Sequence, residues 1–137
     1  MAANTVLRWI PDGRRFVSTD STGHSVTLSA PGENFGMKPS ELILSALAGC
    51  AAFDVVGILE KKKTPLSFLE AKVTAEQDES APWAFRKIHL HFLLKGEGLS
   101  AKSVQQAIDL SEEKYCSVAA TLRGVAEIST SFEILEG

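Results

Sequence analysis

Cysteine is scarce in this chain: two in 137 residues, too few for a disulfide framework to hold the fold. Surplus positive charge is missing as well, since 14 Lys and Arg face 17 Asp and Glu, a formal net charge of −3. Binding to a nucleic-acid backbone relies on clustered positive charge that releases counterions, so no nucleic-acid partner is expected. Met1 to Ile10 shows no basic start followed by an apolar run and a small-residue cleavage site, and a cytoplasmic location is the expectation that follows. A glycine-rich phosphate loop, internal repeats and low-complexity tracts are absent too. What is present is ordinary: 45% apolar and 23% charged residues describe one soluble globular domain, residues 1–137, with enough apolar surface to offset its ordering entropy.

One long apolar run, Leu42 to Leu59, stands out. A bilayer span needs about 20 apolar residues, and Asp54 sits near the middle of this one. A carboxylate there costs roughly 2.5–3.5 kcal/mol on insertion scales, so the run reads as a helix buried in protein, with no membrane partner. Pro39-Ser40-Glu41 opens it and Lys61-Lys62-Lys63 closes it, both charges suiting the helix dipole. Before it, Thr5–Ile10, Arg15–Thr19 and Ser25–Ser29 read as a three-stranded meander with turns at Pro11-Asp12-Gly13 and Thr22-Gly23. After it come strands over Ser67–Glu76 and Arg86–Lys95, a helix over Ser100–Lys114, a short helical piece over Cys116–Leu122 and a last strand over Val125–Ile134. Val104, Ala107, Ile108 and Ser111 fall on one stripe of the second helix. The sum is α+β, with antiparallel sheets around a central apolar helix. A helix apolar on all sides needs cover all round, and two thin sheets from one short chain hardly supply it. A homodimer in which two such helices pack together is the economical solution.

Cys50 lies among small residues in Leu-Ala-Gly49-Cys50-Ala-Ala, and Cys116 lies at the junction of the second helix and the short helical piece. On the residues alone two readings stay open: buried thiols that merely pack, or a reactive thiol with its resolving partner. His89 and His91 share one strand face, which is a metal-ligand spacing, but solvated histidines on the polar face of a sheet are the commoner outcome. Ser111-Glu-Glu-Lys114 has a serine–lysine spacing inside a polar helix, and Lys61–Lys63 reads as a solvated helix end.

Two segments carry a resemblance. Lys38-Pro-Ser-Glu-Leu-Ile-Leu-Ser-Ala-Leu-Ala-Gly-Cys50-Ala-Ala-Phe-Asp-Val-Val-Gly-Ile-Leu59 resembles the first-cysteine helix of the OsmC/Ohr family. Ala107-Ile-Asp-Leu-Ser-Glu-Glu-Lys-Tyr-Cys116-Ser-Val118 resembles its second-cysteine segment, and Ile88-His-Leu-His-Phe92 and Phe132-Glu-Ile134 fit as well. The likeness runs from Trp9 onward and is nearest to the YhfA-like branch. It implies an OsmC-like fold and an intertwined homodimer with active sites at the subunit interface, serving the oxidative-stress response. By the same resemblance Cys50 attacks the O–O bond of an organic hydroperoxide and Cys116 condenses with the resulting sulfenic acid. A dithiol, lipoylated protein in the Ohr branch, then restores the pair, and no metal or organic cofactor takes part. Family members activate the thiol with an arginine from the N-terminal strands and a glutamate before the cysteine helix. Arg15 is the matching arginine, with Arg14 next and Arg8 in the preceding strand, and Glu41 is the matching glutamate.

Elementary electrostatics adds an expectation. Burial without a guanidinium close by raises the pKa of Cys50, and a charged Asp54 one turn further on opposes ionisation as well. Glu41, nine positions before Cys50 on a continuous helix, is displaced by about 13 Å and half a rotation, so it serves Cys50 only through a helix break or from the other subunit. The alternative within the same fold is a non-enzymatic protein that binds a small apolar or acyl ligand at the dimer interface.

Overall fold

A computed structural model describes residues 2–136 of the chain, which fall into two compact units, one up to Ile43 and one from Leu44 onward. In the first unit, strands β1 (Val6–Ile10), β2 (Arg15–Thr19) and β3 (Ser25–Ser29) form an antiparallel meander in sequence order. Trp9 lies opposite Phe16, and Phe16 opposite Leu28. The β1–β2 turn places Asp12 (φ 76°) and Gly13 (φ 131°) at positive φ, and the Trp9 indole N–H donates to the Gly13 carbonyl at 2.9 Å. In the β2–β3 turn the Asp20 carboxylate accepts from the Thr22 hydroxyl (2.6 Å) and from the Thr22 and His24 amides (2.9 and 3.1 Å). These bonds, chiefly those from Thr22 and His24, hold its pKa below the usual carboxylate value.

After β3 a 3-10 turn at Pro31–Glu33 leads to Gly36, which is pressed against β3. A Cβ on Gly36 would lie 2.4 Å from the Thr27 carbonyl carbon. That approach lets the Met37 amide donate to the Thr27 carbonyl at 3.0 Å, while the Ser29 hydroxyl bonds the Gly36 backbone.

Helix α1 (Pro39–Lys61) carries the boundary between the units within its first turns. Proline suits the first helical position because its φ is already helical, and Glu41 and Lys61 complement the dipole at the two ends. Past its end, Lys63 turns to positive φ (63°), and the Thr64 amide caps back onto the Leu59 carbonyl at 3.0 Å. The rest of the second unit comprises β4 (Phe68–Gln77), β5 (Phe85–Lys95), α2 (Ala101–Leu110), a π-helical turn (Ser111–Tyr115), α3 (Ser117–Leu122) and β6 (Glu127–Ile134). The sheet order is β4-β5-β6. β4 and β5 are antiparallel, but β6 runs parallel to β5, with Ile88 opposite Ile128 and Phe92 opposite Phe132.

That parallel pair corrects the expectation of purely antiparallel sheets, while the α+β class stands. Alternation along β6 reports which face is buried, not the direction of the strand. The connection from β5 to β6 contains two helices, which is the crossover a parallel neighbour requires.

The core of the second unit brings the side chains of three elements together. Leu47, Ala51, Val55 and Leu59 recur once per turn of α1 and are buried with Ile88, Leu90, Phe92 and Leu94 of β5 and Val104, Ala107 and Ile108 of α2. Among the described residues α1 is the one helix long and apolar enough to cross a membrane. Its buried stripe instead makes it a core helix of this unit. Part of its surface is left open: Ile43 and Val56 are exposed, and Phe53 is 81% exposed.

Candidate active site

The sequence pattern runs one helix through Lys114, but α2 stops at Leu110 and the chain widens into the π-helical turn. Its signature bond runs from the Cys116 amide to the Ser111 carbonyl at 2.7 Å. Turns of this kind recur at functional sites. Here the turn ends the helix and leaves Cys116 extended (φ −80°, ψ 104°) as the N-cap of α3. Cys116 is 3% exposed, and its sulfur accepts from the Ala119 amide at 3.3 Å. Cys50, half-buried on α1, faces this junction. Both cysteines are free thiols, and they lie close enough for each to shift the acidity of the other.

The two sulfurs titrate in opposite directions. Burial is the largest influence on Cys50 and raises its pKa, but the Val118 amide, the Cys116 thiol and the Ser117 hydroxyl and amide together outweigh it, and the net pKa is lowered. Burial pushes Cys116 up to about 11; the Ala119 amide opposes this, while contact with Cys50 adds to it. Cys50 is therefore the more acidic thiol of the two. The expected rise at Cys50 is overturned because amides at the start of α3, with the Ser117 hydroxyl and the Cys116 thiol, outweigh burial without a guanidinium.

Asp54, one turn after Cys50, is engaged: the Ser111 hydroxyl donates to its Oδ2 at 2.8 Å. Ser111, expected on the apolar stripe of the second helix, is 1% exposed, so it is not paired with Lys114 as a serine–lysine dyad. Lys114 lies over the Tyr115 ring at 5.4 Å. In the first unit, the Arg15 guanidinium donates from Nη2 to the Pro11 and Asp12 carbonyls (3.1 and 3.2 Å) and lies 5.7 Å from the Phe35 ring. Its Nε is buried without a partner. Glu41 pairs with Lys38 at 3.0 Å, and α1 is unbroken between Glu41 and Cys50. The Arg14 amide donates to Glu33 at 2.6 Å.

The histidines on β5 form a hydrogen-bonded chain with β6. Ser129 Oγ lies 2.7 Å from His89 Nδ1, and Ser131 Oγ lies 2.7 Å from both His89 Nε2 and His91 Nδ1. Among the described residues no group of three or more His, Cys, Asp or Glu has the geometry to hold a metal ion. Sequence reasoning missed the amides of Ser117 and Val118; the short helical stretch ending at Gly124 was visible, but cysteine is not an N-cap signal.

The second unit thus brings two free cysteines of opposite acidity shift together at the junction of α1 and α3. A model of the OsmC-like protein family matches residues 31–131, and the chain belongs to that family. It is 37% identical over 129 residues to Protein YhfA of Escherichia coli (strain K12), which covers 94% of this chain and 96% of the relative. Its fold is similar to that of a hypothetical protein from Aquifex aeolicus VF5, with a TM-score of 0.87 and 27% identity over 98% of this chain and 97% of the other. The organic hydroperoxide resistance protein OhrB of Bacillus subtilis shares the fold at a TM-score of 0.64 and 18% identity, covering 97% of this chain and 98% of the other.

Proposed function

We propose that this protein is a cytoplasmic, homodimeric thiol peroxidase that reduces organic hydroperoxides. The observation that carries the reading is the contact between Cys50 and Cys116 with opposite shifts of their acidities. The Cys50 thiolate attacks the distal oxygen of the hydroperoxide, the O–O bond breaks, and the leaving alkoxide takes a proton to become an alcohol. Cys50 is then a sulfenic acid. The Cys116 sulfur displaces its hydroxyl, water leaves, and a disulfide joins the two. An external dithiol such as a lipoylated protein reduces the bond by exchange and leaves as its own disulfide. Arg15 and Glu41 are activators in this reading, and Glu41 acts in the site of the partner subunit because its own helix holds it about 13 Å from Cys50. The uncovered apolar face of α1 around Phe53 supports the dimer.

The experiment is consumption of cumene hydroperoxide by the reduced protein with a dithiol, beside Cys50→Ser and Cys116→Ser. Turnover abolished by Cys50→Ser is the expected result; turnover no higher than the Cys50→Ser blank refutes the peroxidase. One observation favours the non-enzymatic alternative, an apolar or acyl ligand carrier. A groove of about 440 Å³ beside α1 is lined by Phe53, Gly57, Ile58, Leu110 and Tyr115, with Lys61 and Lys62 among its walls. A carrier of that kind binds a fluorescent acyl probe equally well when Cys50 is replaced by serine.

A further inference from the structure

We propose that Asp54 and Ser111 form a tether whose task is to hold Cys116 and the amides that follow it in register with Cys50. The inference rests on reading the thiol pair as the working centre. Cys50 and Asp54 are one turn apart on α1, so their side chains leave the same face. Each meets one end of a single short segment. Asp54 takes the Ser111 hydroxyl at 2.8 Å, and Cys50 meets Cys116, Ser117 and Val118. Between the two attachments the wide turn is closed by the Cys116 amide on the Ser111 carbonyl at 2.7 Å. The segment is thus attached to α1 at both ends, and its ends are tied to each other.

Packing alone does not account for Ser111. It continues the stripe of Val104, Ala107 and Ile108 and is as buried as they are, a place where an apolar side chain of its size would serve. A hydroxyl there is unfavourable unless it is bonded, and its bond goes to the carboxylate one turn from the nucleophile. Charge alone does not account for Asp54 either, because a carboxylate beside a forming thiolate opposes ionisation. A geometric role explains both residues together. The titratable group facing Cys50 across the junction is Cys116, with Asp54 on its own helix and Glu112, Glu113 and Lys114 along the tethered segment.

The test is the rate of Cys50 alkylation by iodoacetamide in the full-length reduced protein from pH 5 to 10, read by peptide mass so that Cys116 is scored separately. Asp54→Ala and Asp54→Asn remove the same charge, but only asparagine keeps an acceptor for Ser111. The midpoint is expected about one pH unit higher for Asp54→Ala than for Asp54→Asn, a roughly tenfold slower reaction at pH 7. Ser111→Ala is expected to shift upward from wild type by a similar amount. Coincident profiles for the alanine and asparagine variants overturn the tether, even if melting temperatures differ. Ser111→Ala with the wild-type midpoint does the same. Asp54 is only half-buried and alanine suits a helix, so that pair keeps the test open if Ser111→Ala does not fold. The readout needs no hydroperoxide turnover: a shifted midpoint in a protein without turnover sustains the tether and removes the peroxidase.

Discussion

Phe53 offers the sharpest test of the proposed dimer. It is 81% exposed in the protomer, on a helix whose neighbouring turns along the same face are Gly49 and Gly57. A Cβ built on either glycine meets nothing within 4 Å. A large side chain between two open positions, one turn to each side, is self-complementary: around a two-fold axis each Phe53 fills space left by the partner's glycines. Burying a phenylalanine is worth about 1.5–3 kcal/mol, little of which is already gained at 81% exposure. A two-fold interface counts the substitution twice, so Phe53→Ala weakens the dimer by about 2.5–5 kcal/mol, or roughly two to four powers of ten in Kd. The protomer should not notice, because exposed substitutions stay within about 0.5 kcal/mol and alanine favours the helix. Sedimentation over a dilution series reads the dissociation constant, and far-ultraviolet circular dichroism checks the fold. A wild-type monomer at tens of micromolar, or a variant with an unchanged dissociation constant, refutes the reasoning.

Three further outcomes follow from the same structure. Alkylation of Cys50 should have its midpoint below the free-thiol value of about 8.5, while Cys116, raised to about 11 by burial, stays unreactive at neutral pH; equal reactivity of the two at pH 7 contradicts the assigned roles. Because Cys116 holds its proton more tightly folded than unfolded, its contribution to stability is complete below about pH 8.5 and is lost as pH rises through about 11; melting temperatures over that range should fall less for Cys116→Ala than for wild type, and parallel curves would contradict the buried-thiol assignment. Phe92→Ala empties a fully buried position in the core of the second unit and should cost about 3–5 kcal/mol by urea unfolding, whereas Gly36→Ala, whose Cβ meets the Thr27 backbone at 2.4 Å, should cost about 1–3 kcal/mol, and a neutral result for either denies the packing described.

The strand periods and helix ends were legible because they are local. Arg15–Thr19 and Ser25–Ser29 stand where β-branched residues and the flanking turns placed them, and α1 begins at Pro39 and ends at Lys61, where proline, acid and base mark its termini. The direction of β6 was not legible, since strand pairing is a property of the crossover and not of the strand. The π-helical turn was hidden for a similar reason. Ser100 to Lys114 carries an acceptable helical pattern throughout, and only the burial of Cys116 and the bond from Ser111 to Asp54 show why the chain widens after Leu110.

The acidity of Cys50 exposes a bias in reading sites from sequence. Side chains are visible in a sequence, so the search for an activator turned to Arg15 and Glu41 and passed over the main chain. The groups that lower the pKa of Cys50 are the main-chain N–H donors of Val118 and Ser117 together with the Cys116 thiol and the Ser117 hydroxyl, the Val118 amide most strongly. Amides carry no letter of their own. They become donors at this place because the widened turn stops α2, Cys116 caps α3, and the first turn of α3 leaves its N–H groups without intrahelical partners. In the proposed reaction the resolving cysteine and the activating amides thus come from the same few residues. A segment that brings the second sulfur to the first also brings the donors that make the first one ionise, which is why a displacement of that segment should degrade both functions together.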